Sequence, residues 1–189
     1  MAESDTVKRE RLLSAVRDLV LEHGIQGTSM SKISKTSGLP MGTIYSMYPA
    51  KEDLINAAYL YCKENYLGAI AFPNIQDTAE SEPAVKAAVL AYIDSAISHS
   101  RDFMFVEQCY LDPMIRSEHI SSQETVLGGI GISAIIHQSS SKERSAFLVQ
   151  HLVLSVIHKA ISLHLSGRIQ FDAETRDTVA QICWDILCE

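Results

Sequence analysis

The sequence predicts an all-α chain, with an N-terminal three-helix helix-turn-helix head followed by a larger helical body. Three observations predict it. Apolar residues recur at helical spacing along most of the chain, while the two-residue alternation of strands is nearly absent. The breaks between periodic segments carry helix-ending or helix-starting chemistry: Gly24, Gly38, Pro40, Pro49, Gly167 and Asp172. The chain has 189 residues, 47% of them hydrophobic, which suits a small module plus a larger one with a real core.

The elements follow in order. Leu12, Leu13, Val16, Leu19 and Val20 form one face of a first helix, which Gly24 ends as a left-handed residue. Thr28 or Ser29 caps a second helix through Ile33, and Gly38 ends it. Pro40 suits the first turn of a third helix, where its missing N–H has no intrahelical partner. Tyr48-Pro49 closes that helix, because the residue before a proline is pushed out of the α region. Lys51 opens a longer helix to about Leu67, followed by a loop from Pro73 through Pro83. Helical patterns resume over residues 83–98, 102–111 and 124–137, the last interrupted by Gly128, Gly129 and Gly131. A long helix covers 142–165 and stops at Ser166-Gly167, and a final one runs from Asp172, a good N-cap, to Leu187. Residues 1–50 are thus expected to form the head and 51–189 the body.

The net charge of −7 argues against nucleic acid, but its distribution does not. Residues 1–55 carry seven Lys/Arg and seven Asp/Glu, so the whole deficit lies beyond them. From His23 to Lys51 there is no acidic residue, while Lys32, Lys35 and Lys51 are present. A small basic surface on an acidic protein can bind phosphate, with the acidic body held away from it. The acidic body also allows a cationic ligand. The N-terminus lacks a signal-like apolar run, and no segment approaches roughly 20 uninterrupted apolar residues. Cys62, Cys109, Cys183 and Cys188 are scattered with no CxxC pair, so a cytoplasmic chain with free thiols is expected.

The head carries the chemistry. Ile33, Leu39, Ile44 and Tyr48 point two short helices at the first one, leaving Pro40, Met41, Gly42, Thr43, Tyr45, Ser46 and Met47 outside. This outer face carries small groups, thioethers and a phenol instead of charges, and it suits close approach to DNA. Gly42 lets the backbone near the sugar-phosphate, Thr43 and Ser46 can donate to phosphate or base edges, and Met47 can meet a thymine methyl. Thr28 and Ser29 sit at a helix N-terminus that favours a phosphate, and Lys51 is a further phosphate candidate.

Gly38, Gly42-Thr43-Ile44-Tyr45, Tyr48 and Lys51-Glu52-Asp53-Leu54, at their fixed spacing, resemble the DNA-binding signature of TetR/AcrR-type transcriptional regulators over about residues 8–56. The resemblance implies a homodimeric regulator, more often repressor than activator, that binds operator DNA and a small-molecule effector. Its body would hold the effector and dimerise through two C-terminal helices. Two positions depart from the family pattern. Pro40 stands where Ser is common, and Met41 where Lys is common; one lost phosphate contact would flatten the salt slope by roughly 0.9.

The body's own residues support that division. The helix over 142–165 is apolar nearly all round, which demands burial on every side and hence a partner surface as well as a core. Phe147 and Leu154 on it, with Val179, Ile182 and Ile186 on the last helix, are candidates for a four-helix dimer interface. His151, Ser155, His158 and Ser162 form one polar stripe on the long helix and are placed with that interface, although a ligand's polar atoms would serve as partners too. Tyr59, Cys62 and Tyr66, with Phe103, Phe105, Tyr110 and Met114, are effector-pocket candidates; the same spacing also suits plain core. No metal-binding spacing, phosphate loop or nucleophile elbow is present, so neither an enzyme nor a cofactor is expected. A helical interaction module without specific DNA binding is the alternative.

Overall fold

The computed structural model describes residues 4–68, 70, 82–120 and 143–188, with the side chains of 143–147, Gln150 and Cys188 outside that description. The expected loop at Pro73 and the expected helix over 124–137 lie outside the described residues. Among those described, regular structure is helical throughout. The helices are α1 (Asp5–Gly27), α2 (Met30–Ser37), α3 (Met41–Met47), α4 (Lys51–Gly68), α5 (Glu82–Ser98), α6 (Ser100–Cys109), α7 (Glu143–Leu165) and α8 (Ala173–Cys188).

Local chemistry accounts for the boundaries. Ser4 caps α1 by accepting from the Val7 amide at 3.3 Å. Gly24, at φ 71° and ψ 168°, breaks the helical path where the sequence places its end, although a further turn reaches Gly27. Ser29 caps α2 through the Lys32 amide, and Gly38, at φ 68°, ends it in the left-handed conformation. Pro40 takes the N-cap position of α3 rather than its first turn, and its carbonyl accepts from Ile44. Asp53 reaches back to the Ala50 amide at the start of α4. Asp172 caps α8 by accepting from Thr175 at 2.8 Å, an interaction that lowers its pKa.

Two compact units result, Met1–Tyr66 with Arg101–Ile120, and Leu67–Ser100 with Ser121–Glu189. In the first, α2 packs on α1 and α3 on α2, with Leu12, Leu13, Val16, Ile33 and Ile44 wholly enclosed. The unit extends past the expected head, because Leu54, Tyr59 and Tyr66 of α4 and Phe103 and Phe105 of α6 are equally buried. In the second unit, α5, α7 and α8 pack pairwise. Val89, Ile93, Val153, Ile157, Ile161 and Cys183 are buried there, and Arg176 makes a two-pronged bond to Asp94, both arms at 2.7 Å. The one tryptophan, Trp184, lies half-buried on α8. Among the described residues no helix is long and apolar enough to cross a membrane.

Candidate nucleic-acid interface

The presentation of α3 follows from what anchors it. Ile44 is its one fully buried side chain, and the remaining positions face outward to different degrees. Tyr45 is 45% exposed, unusual for a phenol that could pack, and Ser46 and Gly42 are exposed beside it. A Cβ built on Gly42 meets nothing within 4 Å, so the protein's own packing does not require glycine there. Bare backbone at an open helix N-terminus suits a large partner at close range. Met41, Thr43 and Met47 are half-buried, and Pro40 is exposed ahead of them. The Ser46 hydroxyl donates to Thr43 O at 2.7 Å, which leaves its oxygen to accept.

The flanking candidates divide. Ser29 is exposed at the α2 N-terminus. Thr28 is turned inward and fully buried: its hydroxyl donates to Gly24 O at 2.9 Å and its amide to Ile25 O. These bonds satisfy carbonyls freed by the break at Gly24, so Thr28 locks the turn and does not offer its side chain to phosphate. Lys51 donates to Ile25 O at 2.7 Å across the same turn, and Lys32 to Gly27 O at 2.9 Å. Each ammonium keeps two further donors. Tyr48, expected only as core, accepts from Arg9 Nε at 3.2 Å, which ties α1 to the residue that ends α3. The bond also raises the Arg9 pKa.

The effector candidates lie in the same unit, where Tyr66 and Phe103 meet edge to face with centroids 5.9 Å apart and Tyr59, Cys62 and Phe105 are each buried. Tyr110 and Met114 are half-buried. The Tyr59 hydroxyl is buried without a hydrogen-bond partner among the described residues, and burial pushes its pKa up. Burial raises all three described thiols as well, Cys109 and Cys183 to about 12 and Cys62 further, which disfavours a thiolate sensor.

Sequence reasoning did not single out two polar devices here. Asn56, 2% exposed, donates to Glu52 O and Met114 O and accepts from the Arg116 amide. Arg116 pairs further with Asp53 at 2.5 Å and Glu52 at 3.4 Å, so the segment after α6 is strapped to the start of α4. Deeper in, Arg17 of α1 bonds Asp102 of α6 at 2.7 Å and Asp18 at 2.8 Å, while Asn65 of α4 donates to the other Asp102 oxygen. Burial opposes the Arg17 charge, yet the bonds to Asp18 and Asp102 outweigh it and raise the pKa. The mere sequence separation of these partners hides them.

The second unit sorts the dimer candidates. His158 is not on an open face: its Nε2 shares a 2.7 Å hydrogen bond with the Tyr92 hydroxyl, and the two rings stack. Val179 is buried in the unit's own core. His151, Leu154 and Ile186 are half-buried, Ser155 is exposed, and the Phe147 side chain lies outside the described residues. The open apolar positions are Leu148 at 59%, Leu152 at 47% and Ile182 at 42%. Leu148, Leu152 and Ser155 share one α7 face at i, i+4, i+7.

Residues 12–58 match a family described as bacterial regulatory proteins, tetR family. The chain is 35% identical over 65 residues to the HTH-type transcriptional regulator UidR of Escherichia coli K12, covering 34% of this chain and 33% of that one. It therefore spans about a third of the length of the curated relatives it matches. A putative tetR family transcription regulator from Shewanella sp. PV-4 shares the fold with a TM-score of 0.81 at 19% identity, over 94% of this chain and 96% of that one. A TetR family transcription regulator from Marinobacter aquaeolei VT8 gives 0.80 at 19%, over 96% of each.

Proposed function

Because the chain belongs to the tetR family of bacterial regulatory proteins, by its N-terminal domain and its fold, we propose that it is a ligand-responsive DNA-binding repressor working as a homodimer. The observation that carries this reading is the outer face of α3. It offers an exposed phenol, a hydroxyl and a glycine that the protein's own packing does not require. Two such helices would enter successive major grooves of a pseudo-palindromic operator, with centres about 34–36 Å apart. Ser29 and Lys51 would hold flanking phosphates. Leu148, Leu152 and Ile182 are the apolar positions a second copy would cover. A small molecule held among the aromatic residues of α4 and α6 would favour a dimer with wrongly spaced heads. A coupling of about 1–3 kcal/mol suffices for a 5- to 150-fold loss of DNA affinity.

The test is fluorescence anisotropy with DNA flanking the protein's own gene, with unrelated competitor and stepped salt. Specific binding that weakens with salt, and is lost in Tyr45→Ala while the variant keeps its helical content, is the expected result. Full specific affinity in Tyr45→Ala would remove α3 from this account. Absence of specific binding to those fragments would favour an interaction module instead.

A further inference from the structure

Most specific base contacts in a major groove use a charged or amide side chain. Arg and Lys read guanine O6 and N7, Asn and Gln read adenine N6 and N7, and Asp and Glu accept from cytosine N4. The helix α3, Met41-Gly42-Thr43-Ile44-Tyr45-Ser46-Met47, contains none of the six. The basic residues around it, Lys32, Lys35 and Lys51, stand on α2 and α4, and the Lys32 and Lys51 ammonium groups bond to the carbonyls of Gly27 and Ile25. What α3 presents is largely apolar. Met41 and Tyr45, at i, i+4, share one face, the first half-buried and the second 45% exposed. Gly42 and Ser46, spaced the same way, share the adjoining face, and both are exposed. With no side chain at Gly42 and open space where its Cβ would be, the helix backbone can come close to base edges. That brings Met41 and Tyr45 within carbon-to-carbon contact distance of them, about 3.5–4 Å. The Ser46 hydroxyl donates to Thr43 O, so toward a partner it acts as an acceptor.

We propose that α3 reads its operator through thymine methyl groups: Met41 and Tyr45 pack against the C5 methyls of A·T pairs in the major groove, and this helix reads no guanine. The proposal rests on the reading of the chain as a DNA-binding regulator, and names the base chemistry of its operator. The thymine methyl is the apolar group in the major-groove code, so an apolar helix face finds its match there. Met41 lies in the N-terminal half of the helix, the half that meets base edges when such a helix docks. Ser46 suits the same base pairs, because its oxygen accepts from the adenine N6 amine. Guanine presents two acceptors in the major groove, O6 and N7, and an accepting Ser46 gains nothing from either. Ser29 and Lys51, placed on phosphates, add affinity and register without sequence information.

The experiment begins with a random-sequence duplex library, from which the full chain selects its binding sequence against unrelated competitor. The selected duplex is then made in three forms: unmodified, with deoxyuridine for every thymidine, and with 7-deazaguanine for every guanine. The first replacement removes the C5 methyl alone, and the second removes the N7 acceptor. In anisotropy titrations the deoxyuridine form should bind roughly tenfold more weakly or worse, from about fourfold per methyl contact in each of two half-sites. The 7-deazaguanine form should stay within about twofold of the unmodified duplex. Met41→Ala should weaken binding severalfold on the unmodified form and little on the deoxyuridine form, because the methyl it met is already gone. A variant that is merely less well folded would lose affinity for both forms alike. Deoxyuridine DNA bound as tightly as the unmodified form, a roughly tenfold loss with 7-deazaguanine, or equal losses of Met41→Ala on both forms would overturn the proposal. The two failures are distinguishable. A selected sequence indifferent to its thymine methyls defeats only the base assignment, whereas failure to enrich any sequence defeats the regulator reading and this proposal with it.

Discussion

Lys63→Met isolates the energetic consequence of burying a charge on α4. Burial lowers the Lys63 pKa from 10.5 to about 8. At about 1.36 kcal/mol per pKa unit, holding the ammonium charged in the folded chain costs about 3 kcal/mol at pH 7. The sign follows from linkage. Between pH 8 and 10.5 the unfolded chain holds this proton and the folded chain does not, so stability rises with pH through that window; below pH 8 the penalty is complete. Methionine carries no such penalty. The stability of Lys63→Met relative to the parent should therefore be greatest at pH 7 and fall by about 2 kcal/mol on going to pH 9.5. Loss of the bond to His119 O shifts this difference equally at both values and leaves its pH dependence intact. In melting temperature the relative gain should shrink by roughly 4–8 °C, read by scanning calorimetry of both proteins in paired buffers. A difference in melting temperature that stays constant from pH 7 to 9.5 would refute the reasoning, because it would mean that Lys63 keeps an ordinary pKa.

Other outcomes follow from the same structure. Arg17→Met leaves Asp102 buried with its principal charge partner gone and should cost about 3–5 kcal/mol in denaturant titration, with at least half recovered in Arg17→Met/Asp102→Leu. Asn56→Ala strands Met114 O and the Arg116 amide and should cost about 2 kcal/mol or more, seen as faster hydrogen exchange in residues 112–119. Leu152→Glu, on the exposed α7 face, should give monomers by light scattering with unchanged helical content; a persistent dimer would place the interface elsewhere.

The helix-turn-helix was legible because its boundaries are set by local rules. Gly24 and Gly38 take left-handed φ values, Ser29 and Asp172 cap, and Ile44 is buried at helical spacing. Thr28 was misjudged for a reason that is also local but depends on the break at Gly24, whose freed carbonyl draws the hydroxyl inward. The long α7 helix posed a different problem. With apolar residues nearly all round, its sequence cannot say which side the domain takes, and Leu148 and Leu152 turn out to lie outside while His158 finds Tyr92. Lys63 reads as a solvated helix lysine, and its burial depends on residues more than fifty positions away in sequence. Arg17 and Asp102 are likewise invisible as a pair until α1 and α6 meet.

The distribution of chromophores has a practical use. Six of the seven tyrosines lie in the compact unit that carries α3, while the single tryptophan lies in the unit built from α5, α7 and α8. Absorbance of the phenols and emission of the indole therefore report on different parts of the same molecule without any label. Coincident unfolding curves from the two signals would mean the units melt as one cooperative block; separated curves would rank them, and show which one a bound DNA fragment protects.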